Sequence, residues 1–171
     1  MKKLIILVLL SIGVNSFAQS KHFIVMLEKI KVKMPAQPSE TIQGAYRLNT
    51  VIVPDSTVNL KALEINLIGG GMNKQDALRL KNSDSFWAET RQQILSQFNN
   101  PKILSEKYLN YKDEKVLEII FERADKKGRK GTVTFWLFIR DEFAYQLFFF
   151  DRGNKASGDL KKDFFDVELI N

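Results

Sequence analysis

From Ile30 the chain alternates, with Ile30, Val32 and Met34 on one parity, Lys29, Lys31 and Lys33 on the other, and Pro35 and Pro38 behind them. A period of two ended by prolines predicts a strand buried on one face. A second extended run covers residues 42–53, rich in β-branched side chains, and stops at the turn dipeptide Pro54-Asp55. A third, from Leu60 to Ile68, puts Leu63, Ile65 and Leu67 on one face and runs into Gly69-Gly70-Gly71. These three segments predict a meander.

The period then changes. Between Ser83 and Phe98, Trp87, Ile94 and Phe98 fall near helical spacing, Ser83 or Asp84 can cap, and Asn99-Asn100-Pro101 ends the run. This is the main helix, with Glu89, Arg91, Gln92 and Gln93 suited to water while the apolar stripe covers a sheet. Four extended segments follow at short spacing: Ile103 to Tyr108, Val116 to Arg123, Thr132 to Arg140 and Phe143 to Asp151. Their order predicts consecutive antiparallel strands joined through Lys126-Lys127-Gly128-Arg129 and through Asp141-Glu142. A closing helix is predicted from Leu160 to Val167, with Leu160, Phe164 and Phe165 or Val167 facing the sheet. The runs Phe135-Trp136-Leu137-Phe138 and Phe148-Phe149-Phe150 are apolar on both parities, as central strands covered on two sides require. An aromatic groove for a peptide or small ligand is the alternative use of those rings. The total is about seven strands and two main helices, an α+β chain around a mainly antiparallel sheet.

The N-terminal pattern is different in kind. Lys2 and Lys3 precede an apolar run from Leu4 to Leu10, and Ser16-Phe17-Ala18 precedes Gln19. A basic start, a short apolar stretch and a small-x-small site read as an export signal with cleavage after Ala18, and the run is too short for a permanent span. Residues 1–18 are thus expected to leave, and 19–171 to form a single α+β domain, exported to the periplasm or the medium. No apolar run in 19–171 is longer than a strand, so no membrane span is expected there.

Composition narrows the chemistry. Losing 18 of 171 residues leaves 153, enough for one core that buries about 68 to 70% of its unfolded surface. Two lysines and no acid leave with the signal, so the charge drops from +6 to +4, which is not a nucleic-acid footprint. There is no cysteine. Thiol catalysis, thiolate metal sites, disulfides and acylation of a lipobox cysteine are therefore excluded, and stability rests on packing.

The single histidine, His22, lies just past the cleavage site, a poor place for a group that must be held by oriented partners. One histidine and no cysteine argue against zinc. Gly69-Gly70-Gly71 lacks the lysine and hydroxyl residue of a phosphate loop and reads as a flexible connection. Asp159, Asp163 and Asp166 stand at helical intervals but lack the alternating ligands of a calcium loop, and read as a solvated face. Lys126, Lys127, Arg129 and Lys130 form a basic hairpin tip and are the candidate interaction surface, for anionic lipid or polysaccharide. No G-x-S-x-G elbow is present, and no pair of acids stands out in the sequence for glycosidase-type chemistry. No catalytic, metal or cofactor residue is assigned, and no cofactor is expected.

Lys31-Val32-Lys33-Met34-Pro35-Ala36-Gln37-Pro38 resembles the strand-then-proline opening of PsbP-like domains. Ala144-Tyr145-Gln146-Leu147, followed by Asp163-Phe164-Phe165-Asp166, resembles their closing strand and helix, with Val167 where a serine often stands. The resemblance spans most of residues 19–171. It implies an α/β/α sandwich around an antiparallel sheet, used for binding or assembly rather than catalysis; members bind other proteins, among them the photosystem II subunit that assists the oxygen-evolving centre. It carries no functional residue onto this chain. The expectation is an exported, non-enzymatic binding or assembly module of the bacterial cell envelope, with a protein or envelope component as partner. Two alternatives stand beside it. One is a carrier of a small apolar ligand held between the sheet and the Trp87 helix, and the other a carboxylate-dependent hydrolase of envelope polysaccharide.

Overall fold

Alternation along the chain becomes pairing across it. The computed structural model describes residues 22–53, 58–98, 100–124, 128, 130–153 and 157–170. The proposed signal, Pro54-Asp55, Lys126, Lys127 and Arg129 lie outside them.

The strands are β1 (Phe23–Met26), β2 (Ile30–Met34), β3 (Ser39–Gln43), β4 (Tyr46–Ile52), β5 (Asn59–Asn66), β6 (Lys102–Tyr111), β7 (Glu114–Ala124), β8 (Lys130–Arg140), β9 (Phe143–Asp151) and β10 (Glu168–Leu169). The helices are α1 (Lys74–Arg79), α2 (Asp84–Ser96) and α3 (Ser157–Phe165), with a 3-10 turn at Leu80–Asn82. Seven strands form one sheet in the order β3-β4-β5-β9-β8-β7-β6, and three form a second in the order β1-β2-β10. Every strand pair is antiparallel.

The chain forms the expected α+β sandwich with a seven-stranded antiparallel sheet, but β2, expected to open the meander with the two segments that follow it, pairs instead with β1 and β10 in the second sheet. In detail the molecule departs from the pattern. The extended run predicted over 42–53 is a hairpin: Gln43 pairs with Tyr46 across Gly44-Ala45, and Gly44 takes φ +57°, a region open to glycine at little cost. The β-branched residues on both sides hide that turn in the sequence. Three elements were not expected at all, β1, β10 and the short helix α1, and of β3 only Ile42 and Gln43 fall in the predicted run. Gly69-Gly70-Gly71 is a closed turn in which the Gly70 N–H donates to the Asn66 carbonyl, 2.9 Å, and the Met72 N–H to that of Leu67, 3.1 Å.

Both faces of the large sheet are covered, which is why β8 and β9 are apolar on both parities. On one face Trp87 and Ile94 of α2 meet Leu117, Ile119, Phe121, Val133, Phe135 and Leu137. Ser83 starts α2 by accepting from the Phe86 N–H at 3.3 Å, a side-chain cap of the expected kind. On the other face Phe164 and Phe165 of α3, Val167, and Val25, Ile30, Val32 and Met34 of the small sheet pack on Leu60, Trp136, Tyr145, Leu147 and Phe149. Leu160 packs against that core part-buried, so the predicted apolar stripe of the closing helix holds. At Gly131 a Cβ would come within 2.6 Å of the Phe150 ring, so β8 and β9 approach there in a way that only glycine allows.

The helical layer stops short of β4. Tyr46 and Ile52, on the same face as the α2 core, stay 52% and 71% exposed.

Candidate functional site: an open strand edge over a polar floor

Among the described residues three strands longer than two residues stand at sheet edges: β1, β3 and β6. An open edge invites another strand, and proteins commonly block it with charge, proline or a bulge. β6 follows Pro101, carries Lys102, Glu106 and Lys107, and shifts register between Ile103 and Ser105. β3 is polar except for Ile42, Ser39-Glu40-Thr41-Ile42-Gln43. β1 is Phe23-Ile24-Val25-Met26, without charge or bulge, and Phe23, Ile24 and Met26 are 39%, 53% and 62% exposed.

Beside β1 runs an open groove of about 400 Å³, walled opposite by Gln37, Pro38 and Glu40 and floored by Asn49. Asn49 is 3% exposed. It pairs in register with Glu40 of β3 on one side and with Ala62 on the other, which pairs with Leu147 and that in turn with Trp136, so its amide stands where an apolar stretch of the row meets the charged edge. Among the described residues its Nδ2 has no hydrogen-bond partner. A buried amide N–H without an acceptor costs free energy, about 1 to 3 kcal/mol on the scale of protein substitutions, and is rare enough to need a reason.

The floor continues into a charged cluster at the Met26 end. Arg47, one inward position along β4, lies 3.9 Å from Glu28, 3.8 Å from Glu40 and 3.8 Å from Glu64. Glu64 is buried and accepts from the Glu28 N–H at 2.6 Å. The Tyr145 hydroxyl accepts from the Lys29 N–H at 3.0 Å and meets Glu64, and burial followed by the nearby Glu64 charge pushes the phenol well above its ordinary range. Three carboxylates therefore share one guanidinium, an acidic excess beside the groove.

The residues singled out from sequence fall elsewhere. Of the basic tip, Lys130 opens β8 as an exposed residue, while Lys126, Lys127 and Arg129 lie outside the described residues. His22 is 3.3 Å from Asp163. Asp166 lies 2.8 Å from Lys33 and 3.8 Å from Lys112, so two of the three spaced aspartates have side-chain partners, Asp166 in ion pairs. The Lys33 ammonium holds the Asp166 carboxyl below its usual range, and Asp166 in turn raises Lys33. Among the described residues no group of three His, Cys, Asp or Glu is placed to hold a metal ion, and no helix is long and apolar enough to cross a membrane. The space between α2 and the sheet is filled by Trp87, which is fully buried, packs edge-on against Phe86 and Tyr108, and donates its Nε1–H to the Lys81 carbonyl at 3.0 Å.

Sequence reasoning missed the groove. Its one trace in the sequence is parity: Arg47 and Asn49 share the inward parity of Val51, and Glu64 that of Leu60 and Ala62, so polar residues stand where apolar ones are due.

No protein-family model and no curated protein matches the chain. Among solved structures, it is similar to the Pseudomonas aeruginosa protein PA94, of unknown function, at 8% identity over 82% of this chain and 88% of that one, TM-score 0.44. It is also similar to a Bacteroides thetaiotaomicron VPI-5482 protein at 15% identity and TM-score 0.46, over 83% of this chain and 45% of that one.

Proposed function

We propose that this chain is an exported binding or assembly module of the bacterial cell envelope, built on a PsbP-like domain and acting without catalysis. The observation that carries the binding reading is the groove itself: an unguarded strand edge faces a buried amide whose N–H has no acceptor. The apolar rim of that groove favours a partner that excludes water. The Arg47 cluster supports binding over hydrolysis. One guanidinium gathers three carboxylates that a hydrolase would need to keep apart as acid and base. The basic, apolar and small-x-small order of residues 2–18 supports export.

The test is site-specific photocrosslinking in intact cells. A crosslinker at Gln37, in the groove wall, is compared with one at Lys107 on the far edge of the large sheet, with fractionation of the processed protein. A reproducible adduct from Gln37 alone, on protein shortened at its N-terminus and recovered outside the cytoplasm, is expected. Cytoplasmic, unprocessed protein that gives no adduct from either position would overturn the reading.

A further inference from the structure

Resting on the binding reading above, we infer that the groove's occupant is a single extended peptide strand that adds to the free edge of β1 and carries a basic side chain. The direction of the β1 backbone comes first. The Leu27 N–H donates to the Ile30 carbonyl at 2.9 Å, closing the β1–β2 hairpin on a bonded pair. Antiparallel ladders alternate bonded and non-bonded pairs, so Val25 exchanges its bonds with Val32, while the N–H and C=O of Ile24 and Met26 point away from β2. β2 bears out this phase: the Lys29 carbonyl, on the opposite parity, turns to the other edge and accepts from the Ile170 N–H at 2.9 Å. Two donors and two acceptors thus face the groove, spaced by two residues, or about 6.6 to 6.8 Å, the repeat of an added strand.

The added strand lies over the Asn49 floor. Charge decides between occupants. Three carboxylates around Arg47 leave an acidic excess at the Met26 end, and Glu40 belongs both to that cluster and to the groove wall. A lysine or arginine on the incoming strand answers it. A second copy offering its own β1 does not answer that charge, because Phe-Ile-Val-Met carries no cation, and it would bring β2 with it into a groove walled on the far side by Gln37 and Pro38.

The experiment uses the end-blocked peptide acetyl-Val-Thr-Lys-Val-Thr-amide, the same peptide with glutamate in place of lysine, and a version N-methylated at alternate amides. Binding to the 15N-labelled protein is followed by amide shifts and hydrogen exchange. The expected result is shifted, exchange-protected amides at Ile24 and Met26, affinity about tenfold weaker for the glutamate peptide, and loss of binding on N-methylation. Asn49→Ala is expected to weaken the lysine peptide by about fivefold or more. Glu40→Gln, on an exposed edge strand, keeps the test open if Asn49→Ala folds poorly: it is expected to reduce the lysine preference while strand addition persists. Unchanged β1 amides at millimolar peptide would overturn the inference, as would equal affinity for the two charges, or shifts at Ile24 and Met26 that depend on protein concentration alone. A Gln37 adduct in cells together with unchanged β1 amides would leave the binding module standing and remove only the strand.

Discussion

Trp87 illustrates how a single side chain reports its surroundings. Its indole is wholly buried, meets Phe86 and Tyr108 edge to face, and has its one donor satisfied by the Lys81 carbonyl. Truncation removes contact area and leaves a cavity that packed neighbours fill only in part, so Trp87→Ala is expected to cost about 3 to 5 kcal/mol in urea unfolding. A loss below about 0.5 kcal/mol would mean that the indole lies on the surface. This residue was legible in the sequence because helical spacing marks a buried stripe. Asn49 was not. A strand alternates polar and apolar residues whichever face is covered, and only β1, a segment to which no element was assigned from sequence, makes the difference between a wet amide and a stranded one.

At the scale of elements, the junction of α3 with β2 is an electrostatic clasp. Asp166, just beyond α3, holds Lys33 of β2 at 2.8 Å and Lys112 of the β6–β7 turn at 3.8 Å. The Asp166 carboxyl titrates below its ordinary 3.8 in the folded chain, so its contribution is present above that value and is lost as pH falls through the lowered one. Lys33 titrates above 10.5, so its share is present below that value and is lost as pH rises through the raised one. Asp166→Asn is therefore expected to lower the urea midpoint slightly at neutral pH, and the difference should close in strong acid. A gap that persists unchanged in acid would rule out the ion pair as its cause. The long elements were legible: α2 by its stripe and cap, β8 and β9 by their double parity. The short ones were not, because α1 buries only Ala77 and β10 has two residues, too few to show a period.

Over the whole molecule, the α+β class and the seven-stranded sheet were readable, whereas the second sheet was not, since it joins the two ends of the described chain. β2 bonds to β10 through Lys31 and Glu168, 137 residues apart, and β5 pairs with β9 across everything between Asn66 and Phe143. Contacts this distant in sequence must close long loops before they stabilise anything, so refolding followed by tryptophan fluorescence is expected on the scale of milliseconds to seconds. Completion within tens of microseconds would contradict that topology. The same β5–β9 seam sets a schedule for the growing polypeptide. Synthesis runs from the N-terminus, so β3, β4 and β5 emerge as a ribbon whose inner edge has no neighbour until nearly the last strand has been made. For most of its birth the protein is half a sheet waiting for its centre, a threadable chain in that interval and a folded one only at the end.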